Sequence, residues 1–203
     1  MHVDSNLSFK HHIATVITKA SQRAGVFFRG FASRSLDIVR KTFVTYIRPL
    51  LEYNSNVWNP THKYLINQIE NVQRKFTKRI SSISHLSYLE RLSILELETL
   101  ELRRLRFDLV QYYKIFNNLT SLCPADFFNA HQPTLSSRAP APTLLKPLNT
   151  PNYVLSTFFY RSLDSWNALP FQIKQCTSLN MFKCNIKSVD LKQFFKGDAF
   201  NLS

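Results

Sequence analysis

The sequence predicts an all-α protein: a helical bundle over residues 1–122, a Pro-rich linker over 123–152 and a small helical C-terminal module over 153–203. Apolar residues recur at steps of three and four through most of the chain, the spacing that lines one side of a helix. Glycine occurs only 3 times in 203 residues, too seldom for a turn-rich β-sandwich or a glycine-rich nucleotide loop. Helix-start signals and a cluster of prolines confined to one stretch punctuate the pattern.

Taken in order, Ser8 is placed to cap a first helix from Phe9 to Gly25 or Gly30, with Ile13, Val16, Ile17, Ala20 and Ala24 inward. Phe27, Phe28, Arg29, Phe31 and Arg34 then interleave aromatics with cations. Phenylalanines in a core with arginines at its rim is the expected arrangement, and base stacking the alternative. Ser33 or Ser35 opens a second helix with Leu36, Val39, Phe43, Tyr46, Ile47 and Leu50 inward. Pro49 should kink it, since proline removes a donor and clashes with the preceding turn. Glu52 is expected to pair with Arg48 one turn earlier, and Trp58 to anchor the core.

Asn59 suits the cap, and Pro60 the first position, of the next helix. Ile66, Ile69, Val72, Phe76, Ile80 and Ile83 fall within about 120° of arc, while Arg74, Lys75, Lys78 and Arg79 occupy a separate arc of about 140°. Ser87 with Glu90 forms a capping box and Ser93 with Glu96 a second candidate. A short helix, a break near Leu97 to Thr99 and a long helix to Asn118 follow. Pro124, Pro133, Pro140, Pro142, Pro147 and Pro151 mark an extended linker. Ser178 opens a last helix with Leu179, Phe182, Ile186 and Val189 inward, and Lys196 to Ser203 is expected to fray.

A hydrophobic share of 44% supports a folded core. The 26 Lys+Arg against 13 Asp+Glu give a net charge of +13, which favours a polyanionic partner, most often nucleic acid. Arg74, Lys75, Lys78 and Arg79 are the candidate grip on backbone phosphates, with Lys41, Arg48, Arg103 and Arg104 as extensions; a solvated charged face is the alternative. No apolar run reaches the length of about 18 residues needed to span a bilayer, so no membrane role is expected. The N-terminus lacks a secretory h-region, and Cys123, Cys176 and Cys184 suit reduced thiols; an intracellular site, nuclear or cytoplasmic, follows.

Catalytic chemistry finds no purchase. Two-metal polymerisation needs clustered carboxylates, but Asp4, Asp37, Asp108, Asp126, Asp164, Asp190 and Asp198 are scattered singly. The 6 histidines and 3 cysteines have no zinc-ligand spacing, and no phosphate-binding loop or nucleophile elbow occurs. No cofactor, metal site or catalytic residue is assigned.

Several motifs carry a family resemblance. Arg48-Pro49-x-Leu51-Glu52-Tyr53, then Val57-Trp58-x-Pro60, then Val72-Gln73-Arg74-Lys75-x-x-Lys78-Arg79-Ile80 resemble the segment after the palm in LINE-type, jockey/CR1-like non-LTR retrotransposon reverse transcriptases. Asp4, Leu7, Ser8, Phe9, His12 and Ile13 are similar to the family's run at the end of the palm. Leu97, Leu100, Arg103, Arg104, Asp108, Leu109, Tyr113, Lys114 and Ile115 match a further motif. Phe158, Phe159, Arg161, Trp166, Asn167, Leu169 and Pro170 are similar to the family's ending, with one residue set between Phe159 and Arg161. The resemblance implies a thumb and post-thumb fragment of an RNA-directed DNA polymerase that lacks the catalytic aspartates and is inactive alone. Its implied partners are RNA, DNA or an RNA–DNA hybrid; a working half-polymerase that pairs with a separately encoded palm is a first alternative. A host or relic protein-interaction module without nucleic-acid binding is the second alternative.

Overall fold

The computed structural model describes residues 9–31, 35–126, 129–131, 143–145 and 156–199, and the fold they form is all-α. The chain divides into two compact units, one of residues 1–104 with 196–203 and one of residues 105–195. No helix among the described residues is long and apolar enough to cross a membrane.

The first unit is built on α1 (Lys10–Gly30) packed against α5 (Lys63–Lys78) and α3 (Arg48–Glu52). Phe76 of α5 sits at the centre, with the rings of Phe28 and Phe43 each 5.0 Å away and Phe27 at 6.1 Å. Of the six residues predicted to face inward here, Ile66, Ile69, Val72 and Phe76 lie on α5, while Ile80 and Ile83 fall beyond its end, Ile83 in a 3-10 turn; all six are buried. Phe27 and Phe28 join the core while Phe31 and Arg29 are exposed; Arg34 lies outside the described residues, as do Ser8 and Ser33. Trp58 is buried and its indole N–H donates to the Tyr53 carbonyl at 2.8 Å, the anchoring role expected of it. His12 packs edge-on against Trp58 at 5.5 Å.

Directly ahead of Pro49 the helix is irregular: α2 (Leu36–Thr42) continues through a π-helical turn, Phe43–Ile47, before α3. There the Arg48 N–H reaches the Phe43 carbonyl, five residues back, and the widened turn makes room ahead of the proline ring. Asn59 and Pro60 do not start α5, which begins at Lys63 after a short α4 (Ser55–Trp58), because the Asn59 side chain accepts instead from the Arg104 guanidinium at 3.0 Å. Ser93 and Glu96 form no capping box. They lie at the C-terminal end of α6 (Tyr88–Ile94), where Glu96 takes φ 48° and Leu97 N–H closes on the Leu92 carbonyl at 2.9 Å. The Ser87–Glu90 capping box is present in both directions.

A buried polar cluster ties α5 to the helices that follow. α7 (Leu100–Phe116) begins over Glu70, whose carboxylate accepts the Leu100 and Glu101 N–H groups, both at 3.2 Å. The Tyr88 hydroxyl also donates to Glu70, at 2.5 Å, and receives Gln73 Nε2 at 3.0 Å. Four orphan donors open every helix, and here a core carboxylate takes two of them. Burial raises the Glu70 pKa, opposed by the Tyr88 hydroxyl, the Arg104 charge and the two amides.

Lys196 to Ala199, expected to fray, returns to this unit. Glu101 accepts the Lys196 N–H at 2.7 Å, and Asn67 exchanges hydrogen bonds with Asp198 at 2.8 and 2.9 Å. Gly197 is required by the close approach: a Cβ there would stand 2.7 Å from Glu101 Oε2 and 2.8 Å from Ile66 Cγ2.

The second unit contains the end of α7, an antiparallel ribbon of β1 (Asn129–His131) and β2 (Thr143–Leu145), and four short helices: α8 (Phe158–Arg161), α9 (Leu163–Asn167), α10 (Phe171–Lys174) and α11 (Leu179–Asn185). The Trp166 ring stacks on Tyr112 and Phe116, each at 5.4 Å, and Tyr113 stacks on Phe182 at 4.4 Å. The Asn167 amide brackets Leu144, accepting its N–H at 3.1 Å and donating to its carbonyl at 2.9 Å. Arg161 is bidentate on the buried Asp108, at 2.9 and 2.8 Å. The terminal motif is thus a set of packing and clamping residues in this unit.

Candidate nucleic-acid interface

The eight cations singled out in the sequence fall into two groups. Arg74, Lys75, Lys78 and Arg79 line the C-terminal half of α5 and the residue that ends it. Their spacing of i, i+1, i+4 and i+5 confines the four charges to an arc of about 140° at the end of a single helix. Lys75, Lys78 and Arg79 are exposed and Arg74 is half-buried. Among the described residues no carboxylate pairs with any of the four.

Two of these cations are held by aromatic rings. The Arg79 guanidinium lies 4.2 Å from the centroid of Phe28, and that of Arg74 lies 4.9 Å from Tyr88. Arg74 also donates to Asn71 Oδ1 at 3.0 Å. An arginine fixed this way keeps its charge while losing rotamer freedom, which lowers the entropic cost of a phosphate contact. Phe28 and Tyr88 were not legible as part of the face: each reaches α5 from a distant segment, and no local spacing signals it.

The other four cations are engaged elsewhere. Lys41 pairs with Asp37 at 2.7 Å on the exposed side of α2. Arg48 and Arg103 converge on Glu52: Arg48 at 3.7 Å, and Arg103 through two hydrogen bonds, from Nη2 at 3.1 Å and from Nε. The expected Arg48–Glu52 contact exists, but Arg103 makes the closer one. Burial and the neighbouring Arg103 charge lower the Arg48 pKa. At Arg103 burial acts the same way, but the Glu52 hydrogen bonds and charge outweigh it and the pKa is raised. Arg104 is 0% exposed, so in this conformation its guanidinium is closed to a polyanion.

Among the described residues no group of three or more His, Cys, Asp or Glu is gathered closely enough to hold a metal ion. Cys176 is buried, while Cys123 and Cys184 are exposed, and all are free thiols.

No family model matches the chain, and no solved structure matches it. An uncharacterized protein of Caenorhabditis elegans is 31% identical over 78 residues, which cover 38% of this chain and 39% of that protein. The chain therefore aligns with about two fifths of that relative's length.

Proposed function

We propose that this chain is a nucleic-acid-binding fragment from the thumb and post-thumb region of a LINE-type retrotransposon reverse transcriptase, acting inside the cell on RNA, DNA or their hybrid. The observation that carries the reading is the α5 face: four adjacent cations with no carboxylate partner among the described residues, on a chain of net charge +13. Such a face meets phosphates, and phosphate contacts position a duplex without reading its sequence. Polymerisation is not assigned to this chain, which has no adjacent pair of aspartates.

The test is a salt titration of binding to an RNA–DNA hybrid, with duplex DNA and single-stranded RNA as comparisons. Four phosphate contacts give a log–log slope of about −3.6, a loss of roughly 150-fold between 50 and 200 mM salt. Replacing Lys75, Lys78 and Arg79 by Gln removes about 2.7 from that slope. An unchanged slope and affinity in this variant would sink the assignment.

A second reading, a protein-interaction module, draws on exposed apolar side chains in the first unit. Tyr53 is 82%, Tyr46 63% and Val26 60% exposed. Weak, shallow binding indifferent to the nucleic acid offered favours that reading.

A further inference from the structure

Between α1 and α5 lies a groove of about 300 Å³. Its floor is apolar: Ile17 and Ala24 from α1, Val72 and Phe76 from α5. Its rim carries Ser21 from α1 and, in one stripe down α5, Gln68, Asn71, Lys75 and Arg79. Among the described residues no acidic side chain lines it. The volume is at the lower end of the range for small-ligand sites, about 300–1,000 Å³, and a mostly apolar surface with a few convergent polar groups is their usual make-up.

We propose that this groove receives one unpaired nucleotide, its base against the apolar floor and its phosphate between Lys75 and Arg79. This deepens the functional reading above and rests on it, since Lys75 and Arg79 belong to the same face. A duplex backbone asks only for cations; it makes no use of an apolar floor or of amides. A planar base joined to a phosphate uses all three, and the amide groups of Gln68 and Asn71 stand where they can meet a base edge. Arg79, resting against Phe28, is already positioned for the anion. The same chemistry is offered by a free mononucleotide and by an unpaired nucleotide of a strand.

The experiment compares a blunt RNA–DNA hybrid, the same hybrid with a short single-stranded tail carrying 2-aminopurine, and AMP alone. Wild-type protein is set beside Ser21→Phe, which fills the groove from an exposed position on α1. The tailed hybrid should bind about tenfold more tightly than the blunt one, within the range of stacking one base. Ser21→Phe should abolish that preference, leave blunt-hybrid affinity within about twofold and restore the 2-aminopurine fluorescence of a solvent-exposed base. AMP binding that Ser21→Phe removes, without a tail preference, supports the groove with a free nucleotide as occupant. Equal binding of tailed and blunt hybrids together with no AMP binding overturns the proposal, as does any preference that survives in Ser21→Phe. Failure of the broader reading is separate: it shows in the salt slope of the blunt hybrid, which depends on the cations and not on the apolar floor that Ser21→Phe fills.

Discussion

Replacing Glu70 tests the largest polar element of the first unit's core. Glu70→Leu removes the acceptor of the Leu100 N–H, the Glu101 N–H and the Tyr88 hydroxyl. A buried donor left without an acceptor costs about 1–3 kcal/mol. Relief of the desolvated carboxylate and burial of the leucine offset part of that sum, so the expected net loss is about 3–5 kcal/mol. Glu70→Gln keeps one acceptor oxygen but turns an NH2 toward donors, and should lose about half as much. The assay is urea unfolding followed by Trp58 fluorescence, with Trp166→Phe in the background so that only the first unit is reported. The pH dependence has a definite sign. Burial raises the Glu70 pKa in the folded state, so the folded protein binds the proton more readily than the unfolded chain. That contribution is fully present below the unfolded value of about 4.3 and is lost as pH rises through the folded one. Wild type should therefore lose stability relative to Glu70→Gln as pH rises from that point. A Glu70→Leu cost below about 1 kcal/mol, or a wild-type-minus-Gln difference that grows with pH, would refute the account.

Other substitutions probe single devices. Ser87→Ala should cost about 1 kcal/mol in urea unfolding, since the Ser87 hydroxyl caps the Glu90 N–H; no measurable cost would contradict the cap. Glu96→Gly should stabilise by up to about 1 kcal/mol by relieving a left-handed residue, and its exposed pairing with Arg40 offsets little of this. Gly197→Ala should destabilise by about 1–3 kcal/mol, because Glu101 and Ile66 must both shift; wild-type stability would mean the closing segment is not packed as described. With Ellman's reagent, Cys123 and Cys184 should react promptly in the folded protein and Cys176 only on unfolding.

What the sequence made legible were features fixed within a few residues of one another. The α5 seam of Ile66, Ile69, Val72 and Phe76 is buried as its spacing implies, Ile80 and Ile83 are buried beyond the end of that helix, and the Ser87–Glu90 box and the break before α7 stand where expected. Apolar periodicity has nothing to say about Glu70, Gln73 and Thr77, polar residues that are buried all the same. Their partners include Tyr88, Arg91 and the start of α7, brought close only by folding. The same holds for the cations. The Arg48–Glu52 pair follows from its spacing, but only the folded chain brings Arg103 to the same carboxylate and encloses Arg104. The left-handed turn at Glu96 was hidden because glycine, its usual signature, is absent there.

Because Lys196, Gly197 and Asp198 complete a unit whose remaining described residues end at Arg104, the order of synthesis and the order of assembly diverge. A chain emerging from the ribosome presents α1 to α6 early, yet the Glu101 carboxylate and the Asn67 amide wait for their partners until the whole intervening unit has been translated. During that interval the first unit is nearly built but unlatched. Cleavage just before Lys196 would return the molecule permanently to that state, depriving two helices of the segment that joins them.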